Sequence, residues 1–282
     1  MKFLFVGNRK FVLDEMLKSQ LDITEILVIK GTYLETHLTN LKINYTSISS
    51  KQELIDKINS LEFDILISNG CPYILPISNL VKKKYVNIHP SFLPDLKGAD
   101  PVLGSILFQR DSGATCHAMN DEIDDGDIIS QVKIPFSDDL DVSLLYQLSF
   151  LAEKEVFQSA LKNNFEILKK QKKQNNLIYF TKQPENQVIT FKESNQEIIN
   201  KIRAFSNNSQ GCNFKYKGTN IKVYAVQVLE NKYLEKLALK FDDLQIILSY
   251  ENSIVFKKDG LLLRFYNLKT EKKELEVLSY LA

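Results

Sequence analysis

Tryptophan is absent from this chain, and cysteine, histidine and proline are scarce: three, three and seven of 282 residues. Cys71, Cys116 and Cys212 stand far apart. They form neither a C-x-x-C pair nor the dense framework of a disulfide-stapled secreted domain. Their expected role is that of small buried apolar residues in a reducing compartment. A surplus of charge is missing too. Lys and Arg total 36 against 35 Asp and Glu, which leaves +1, so no strong global field draws the chain to nucleic acid or to a membrane surface. No apolar run approaches the ~20 residues that span a bilayer. The opening MKFLFVGNRKF has too short an apolar stretch for a signal peptide. These absences point to a cytoplasmic protein with neither nucleic acid nor membrane as partner.

What is present is an ordinary globular composition, 44% hydrophobic and 25% charged, long enough for two modest domains. Strand-like runs at Lys2–Val6, Ile26–Ile29, Asn44–Ile48 and Asp64–Ser68 alternate with helical periodicity. That alternation predicts an α/β fold with a mainly parallel sheet flanked by helices. Further strands are expected at Tyr85–His89, Ala114–Met119 and Asp127–Ile134, the last two joined by the short acidic turn DEIDDG. A hairpin there makes the sheet mixed. A long helix from Val142 to about Leu168 should follow. The charged stretch KKQKKQNN, 169–176, reads as a linker. Beyond it strand-like runs, Val188–Phe191 and Ile221–Leu229 among them, and turns such as Lys217-Gly218 and Asp259-Gly260 predict a small β-rich, barrel-like domain. The expected division is 1–176 and 177–282.

The densest chemistry lies in VNIHPSFLPDLKGADP and GATCHAMNDEIDDGDIIS. Asn87 and His89 are alternate residues of a strand, so both emerge on one face near its end. Ligand sites in open α/β sheets sit at such ends. Asp124, in the acidic turn, would reach His89 if the three strands are neighbours. A carboxamide N–H and an imidazolium can stabilise an oxyanion, and an imidazole or carboxylate can take the proton lost by an attacking amine. A carboxylate beside His89 should raise its pKa and favour the charged ring. The bland alternative is that Asn-x-His is a hydrogen-bonded turn.

Other features carry less. The acidic run Asp121–Asp127 fails the alternation of a calcium loop, because Ile123 interrupts it. His117 has no second ligand at metal spacing and reads as a satisfied structural histidine. No metal is implied. Gly7-Asn8-Arg9-Lys10 follows the first strand without a G-x-G-x-x-G pattern, which argues against a dinucleotide site. Arg9, Lys10 and Lys97 could hold an anionic substrate or could be solvated surface charges.

Taken together NIH (Asn87–His89), SFLP (Ser91–Pro94), KG (Lys97, Gly98) and IDDG (Ile123–Gly126) resemble the folate-dependent formyltransferases. The resemblance is dense over residues 64–135 and looser elsewhere. It implies that the catalytic Asn, His and Asp fall on Asn87, His89 and Asp124. Asp124 is preferred over Asp125 because the family aspartate lies two before the glycine. It implies 10-formyltetrahydrofolate as co-substrate, with Tyr73, Ile74, Leu75 and Ile123 around the pterin, and it suggests a homodimer. Among its members, methionyl-tRNA formyltransferases carry a Gly-Thr-Pro-like turn and Arg-Gly-Ala-Ala-Pro where this chain has GNR and KGADP. These departures favour a nucleotide-linked amino sugar as formyl acceptor, with Arg9, Lys10 and Lys97 as candidate substrate contacts. Methionyl-tRNA is the second reading, and a non-catalytic folate- or nucleotide-binding module the third.

Overall fold

The computed structural model describes residues 1–172, 175–207, 209–270 and 275–281. The chain forms two compact units. One comprises Met1–Val102, Asp111–Pro135 and Tyr146–Thr181, and the other Leu103–Arg110, Phe136–Leu145 and Lys182–Ala282.

The first unit is built on β1 (Lys2–Gly7), α1 (Lys10–Lys18), β2 (Asp22–Ile29), α2 (Tyr33–Leu41), β3 (Thr46–Ile48), α3 (Lys51–Ser60), β4 (Ile65–Asn69) and β5 (Lys84–His89). After α4 (Pro101–Leu107), which from Leu103 belongs to the second unit, come β6 (Ser112–Ala118), β7 (Ile128–Ile134) and α5 (Val142–Lys162), the last in this unit from Tyr146. The seven strands lie in the order β3-β2-β1-β4-β5-β6-β7. The first five are mutually parallel; β6 pairs antiparallel with both β5 and β7, so it alone runs against the rest. This is the expected mixed sheet.

Its core follows from alternation. Phe3, Phe5, Ile65 and Ile67 pack on one face with Val12, Met16 and Phe157, while Leu4, Val6, Leu66 and Leu27 pack on the other with Leu54 and Ile58. Strands covered on both sides read as near-continuous apolar runs; all five residues of β4 are buried, Ile65–Ile67 apolar and Ser68 and Asn69 polar at its carboxyl end. Strand order reverses between β1 and β4, because β2 and β3 extend to one side and β4 to β7 to the other. Such a switch point opens a crevice at the carboxyl ends of the strands.

In the second unit α6 (Asn195–Ala204) is followed by β8 (Cys212–Tyr216), β9 (Thr219–Val223), β10 (Ala225–Val228), α7 (Lys232–Ala238), β11 (Ile246–Tyr250), β12 (Ser253–Lys258) and β13 (Leu261–Tyr266). A four-stranded sheet, β10-β13-β12-β11, and the β8–β9 hairpin make it β-rich. Backbone bonds between Lys222 and Lys269 tie the hairpin to the segment after β13. Phe191, Phe214, Phe256 and Phe265 form its aromatic centre, with the Phe256 and Phe265 rings 4.9 Å apart.

Three details differ from the sequence expectation. The run Ile221–Leu229 is two strands, since β9 pairs with β8 and β10 with β13. Val188–Phe191 makes one isolated bridge, to Asn213, rather than a strand. The long helix ends at Lys162. Its chain then turns back, and Ile128 N–H donates to Lys169 O at 2.8 Å.

Candidate active site

The site is assembled by register. In the β5–β6 ladder Asn87 lies opposite His117, and His89 opposite Thr115. Asn87, His89 and His117 all line a cleft of about 380 Å³. The turn after β6 brings Asp124 over them. Its Oδ1 is 3.4 Å from Asn87 Nδ2, 3.5 Å from His89 Nδ1 and 3.7 Å from His117 Nε2. Its Oδ2 accepts the Gly98 N–H at 3.0 Å. The trio expected from sequence therefore converges on one carboxylate. Asp125 instead pairs with Lys97, which separates the roles of the two adjacent acids.

The loop residues explain the motif. Thr115 Oγ1 donates to Ser91 O and accepts from Leu93 N–H, and Ser91 Oγ donates to Asp95 O. So stitched, the SFLPDL loop returns the Leu96 carbonyl to 2.9 Å from His89 Nε2. A carbonyl only accepts, so Nε2 carries the proton and Nδ1 is the nitrogen that faces Asp124. Gly98 has φ +102°, and a Cβ there would stand 2.7 Å from Phe180 O. A Cβ on Gly126 would meet Ala118 O at 1.7 Å. Both glycines are needed for backbone to pass backbone.

The stretch 169–176, expected to be a linker, is anchored at its start on the same turn. Gln171 Nε2 donates to Asp124 O at 3.0 Å and to Gly126 O at 2.8 Å. Asp124 has φ +51°, a left-handed conformation that costs a residue with a side chain energy, and Gln171 pins the carbonyls of Asp124 itself and of Gly126 just after it. Lys173 and Gln174 of that stretch lie outside the described residues. Beyond it Phe180 N–H donates to Lys97 O and Ile178 N–H to Asp95 Oδ1, both at 2.8 Å, so this segment also straps the 95–98 loop.

Electrostatics overturn one expectation. Burial pushes the His89 pKa below its ordinary value and outweighs the opposing pull of Asp124, so the resting ring is neutral, not charged. Burial also opposes ionisation of Asp124. In acid, where the facing His89 and His117 rings take up protons, their charge and the Gly98 N–H overcome it and hold the carboxyl well below the usual carboxylate range. Asn87 adds a useful constraint. The separations among its Nδ2, Asp124 Oδ1 and His117 Nε2 (3.4, 3.2 and 3.7 Å) fix the angle at Nδ2. It is about 70°, against about 120° between the two N–H bonds of an amide. One N–H can serve both acceptors, and the other is left for the cleft.

Tyr73, Ile74, Leu75 and Ile123 all line the same cleft. Leu75 is buried, whereas Ile74 and Ile123 are 56% and 36% exposed and offer apolar surface. Arg9 lines it too, its guanidinium paired with the buried Glu153 and 5.9 Å above the Phe150 ring. Lys10 and Lys97 are not lining residues. Lys10 Nζ lies 5.5 Å from the Phe11 ring centre and 5.9 Å from that of Tyr33, and Lys97 is held by Asp125. Several lining residues escaped the sequence reading, His117 and Tyr179 among them. His117 is inside the site rather than a remote structural histidine, and Tyr179 stands at the cleft, 57% exposed. Cys71 lines the cleft as well, but burial pushes its thiol up to about 11, which leaves it protonated and a poor nucleophile at neutral pH.

Residues 16–161 match the formyl transferase family, and residues 182–282 match the C-terminal domain of formyl transferases. The chain belongs to the formyl transferase family. The methionyl-tRNA formyltransferase of Fusobacterium nucleatum is 27% identical over 267 residues, covering 83% of this chain and 82% of the relative. Among solved structures, WlaRD, a sugar 3N-formyl transferase crystallised in the presence of dTDP and 5-N-formyl-THF, superposes with a TM-score of 0.70. It is 23% identical and covers 94% of this formyltransferase and 97% of its own chain. The N-formyltransferase of Helicobacter canadensis, in complex with folinic acid and dTDP-3-aminofucose, gives a TM-score of 0.71 at 20% identity, covering 94% and 99%. Similarity at that level is similarity of fold.

Proposed function

We propose that this formyltransferase moves a formyl group from 10-formyltetrahydrofolate to the amine of a nucleotide-linked amino sugar, with the chemistry carried by residues 1–176. The observation that carries the reading is the convergence of Asn87, His89 and Asp124 within 3.5 Å of one carboxylate oxygen at the bottom of a cleft. Asn87 offers its spare N–H to the oxygen on which negative charge develops as the amine attacks the formyl carbon. The neutral Nδ1 of His89 takes the proton that the amine loses, and Asp124 stabilises the ring as it becomes charged. The same ring then returns the proton to the departing folate nitrogen. The exposed faces of Ile74 and Ile123, with Leu75 behind, suit a flat heterocycle. Folate ligands in the similar solved structures support the donor.

The acceptor rests on narrower ground: GNR and KGADP at the two places where the tRNA-directed members differ, and a net charge of +1. A polyanion as large as tRNA is usually met by a marked positive field. Arg9 is the cation suited to an anionic acceptor from the cleft wall. A second reading, methionyl-tRNA as acceptor, is favoured by the sequence relatives. Release of tetrahydrofolate, followed with dTDP- and UDP-amino sugars and with charged initiator tRNA side by side, separates the two. Turnover with an amino-sugar nucleotide alone supports the proposal. Turnover with tRNA alone rejects it.

A further inference from the structure

His117 has a part to play that its lone position in the sequence conceals. It sits where the β6–β7 ladder slips: Cys116 pairs with Ser130 but His117 with Ile128, so Ile129 is passed over. Such bulges bend a strand and re-aim side chains. The ring is 2% exposed and lies directly across the β5–β6 ladder from Asn87. Its Nδ1 is 2.8 Å from Ala118 O. A carbonyl can only accept, so that nitrogen holds the proton of the neutral ring and Nε2 presents a bare lone pair. The donor facing this lone pair, at 3.2 Å, is Asn87 Nδ2, with Asp124 Oδ1 farther off at 3.7 Å.

The consequence concerns a choice that shape cannot make. The two ends of a carboxamide are nearly the same size, and Asn87 could present either to the cleft. With its oxygen turned inward it would face the His117 lone pair and the Asp124 carboxylate, three acceptors with no proton among them. With its nitrogen inward, one N–H serves both acceptors and the other is available at the reacting centre. A bare Nε2 therefore selects the orientation in which Asn87 stabilises negative charge rather than repelling it. We propose that His117 is a positioning residue for formyl transfer. It acts through Asn87, with its tautomer fixed by the Ala118 carbonyl. The inference rests on the role proposed above for Asn87. Asp124 and His89 are the other titratable groups beside the ring.

Two replacements separate positioning from filling. His117→Phe keeps the bulk and removes the acceptor. His117→Gln can bring its Oε1 to about the depth of Nε2. Because Asp124 still accepts from Asn87, the Phe variant is expected to lose about tenfold in kcat, the scale of one hydrogen bond. Its KM for the formyl donor should stay within about twofold, and the Gln variant should recover most of the rate. A Phe variant with unchanged kcat, or a folded Gln variant as slow as the Phe variant, overturns the proposal. A readout free of turnover guards against misfolding and against a wrong acceptor. With three histidines in the chain, ¹⁵N-histidine NMR of the wild-type protein at neutral pH reads the tautomer directly. Nδ1–H on His117 with a bare Nε2 supports the proposal; an Nε2–H tautomer or a doubly protonated ring overturns it, whatever the acceptor proves to be.

Discussion

Asp124→Asn preserves the shape of a side chain that is 10% exposed and removes its charge. Oδ1 accepts from Asn87, and Oδ2 accepts from Gly98. An amide can keep an oxygen at only one of these places. With oxygen toward Gly98 its NH2 turns to the bare His89 Nδ1 and His117 Nε2, which stand 3.5 and 3.7 Å from that corner, while the Asn87 N–H keeps His117 Nε2 as its acceptor. With oxygen toward Asn87 its NH2 meets the Gly98 N–H. The first orientation leaves no donor unmet, so the loss is that of exchanging charge-assisted hydrogen bonds for neutral ones, about 1 kcal/mol, offset in part because a charge no longer has to be buried. Melting should fall by a few degrees. The sign of the pH dependence follows from the lowered pKa of Asp124. Its share of stability is complete above the ordinary carboxylate value and is lost as pH falls through the folded-state value, so the variant's melting temperature should be flatter in acid. The larger effect is on chemistry. His89 becomes charged without its carboxylate partner, and a positioned acid–base group typically contributes about 100- to 10,000-fold. We expect kcat for tetrahydrofolate release to drop about 100-fold or more, with KM for the formyl donor changed little. A folded variant whose kcat stays within threefold of wild type would refute the reasoning.

Because burial lowers the His89 pKa below 6.5, kcat should be flat near neutrality and decline only as pH falls below that ordinary value; an acid limb centred above 6.5 contradicts a neutral resting ring. Gly98→Ala places a Cβ 2.7 Å from Phe180 O at φ +102°, so the loop must shift. The Asp124 contact then weakens, and melting and kcat should fall together, whereas a variant matching wild type in both would show the loop to be slack. Gln171→Ala removes both side-chain bonds to the Asp124 turn and is expected to cut kcat several-fold while melting changes by less than about 2 kcal/mol equivalent; unchanged kinetics would mean the turn holds itself.

The sheet was legible because its strands obey simple rules. Phe3–Val6 and Ile65–Ser68 are continuous buried runs, and the turns between elements carry Gly and Asn. Asn87 and His89 were legible as alternate residues of one strand, and Asp124 as the acid two before Gly126. His117 was not legible, because its place depends on the register of β6 against β5 and on a bulge with β7 that no local signal announces. The His89 charge state was misjudged for a related reason: proximity to Asp124 can be guessed from spacing, but the depth of burial that outweighs it cannot. Gln171 was hidden in a lysine-rich run that resembled solvated linker. α6 left a signal in plain view. Ser194 and Glu197 form a reciprocal cap, with Ser194 N–H donating to Glu197 Oε2 at 2.8 Å.

The most direct measurement is the rate of formyl transfer by Asn87→Ala against wild type, with 10-formyltetrahydrofolate and the acceptor on which wild type turns over. Loss of a donor at the developing negative charge should reduce kcat about 100- to 1,000-fold in a protein that still folds and binds folate. A folded Asn87→Ala enzyme with wild-type turnover would mean that the carboxamide facing this cleft has no hand in the reaction.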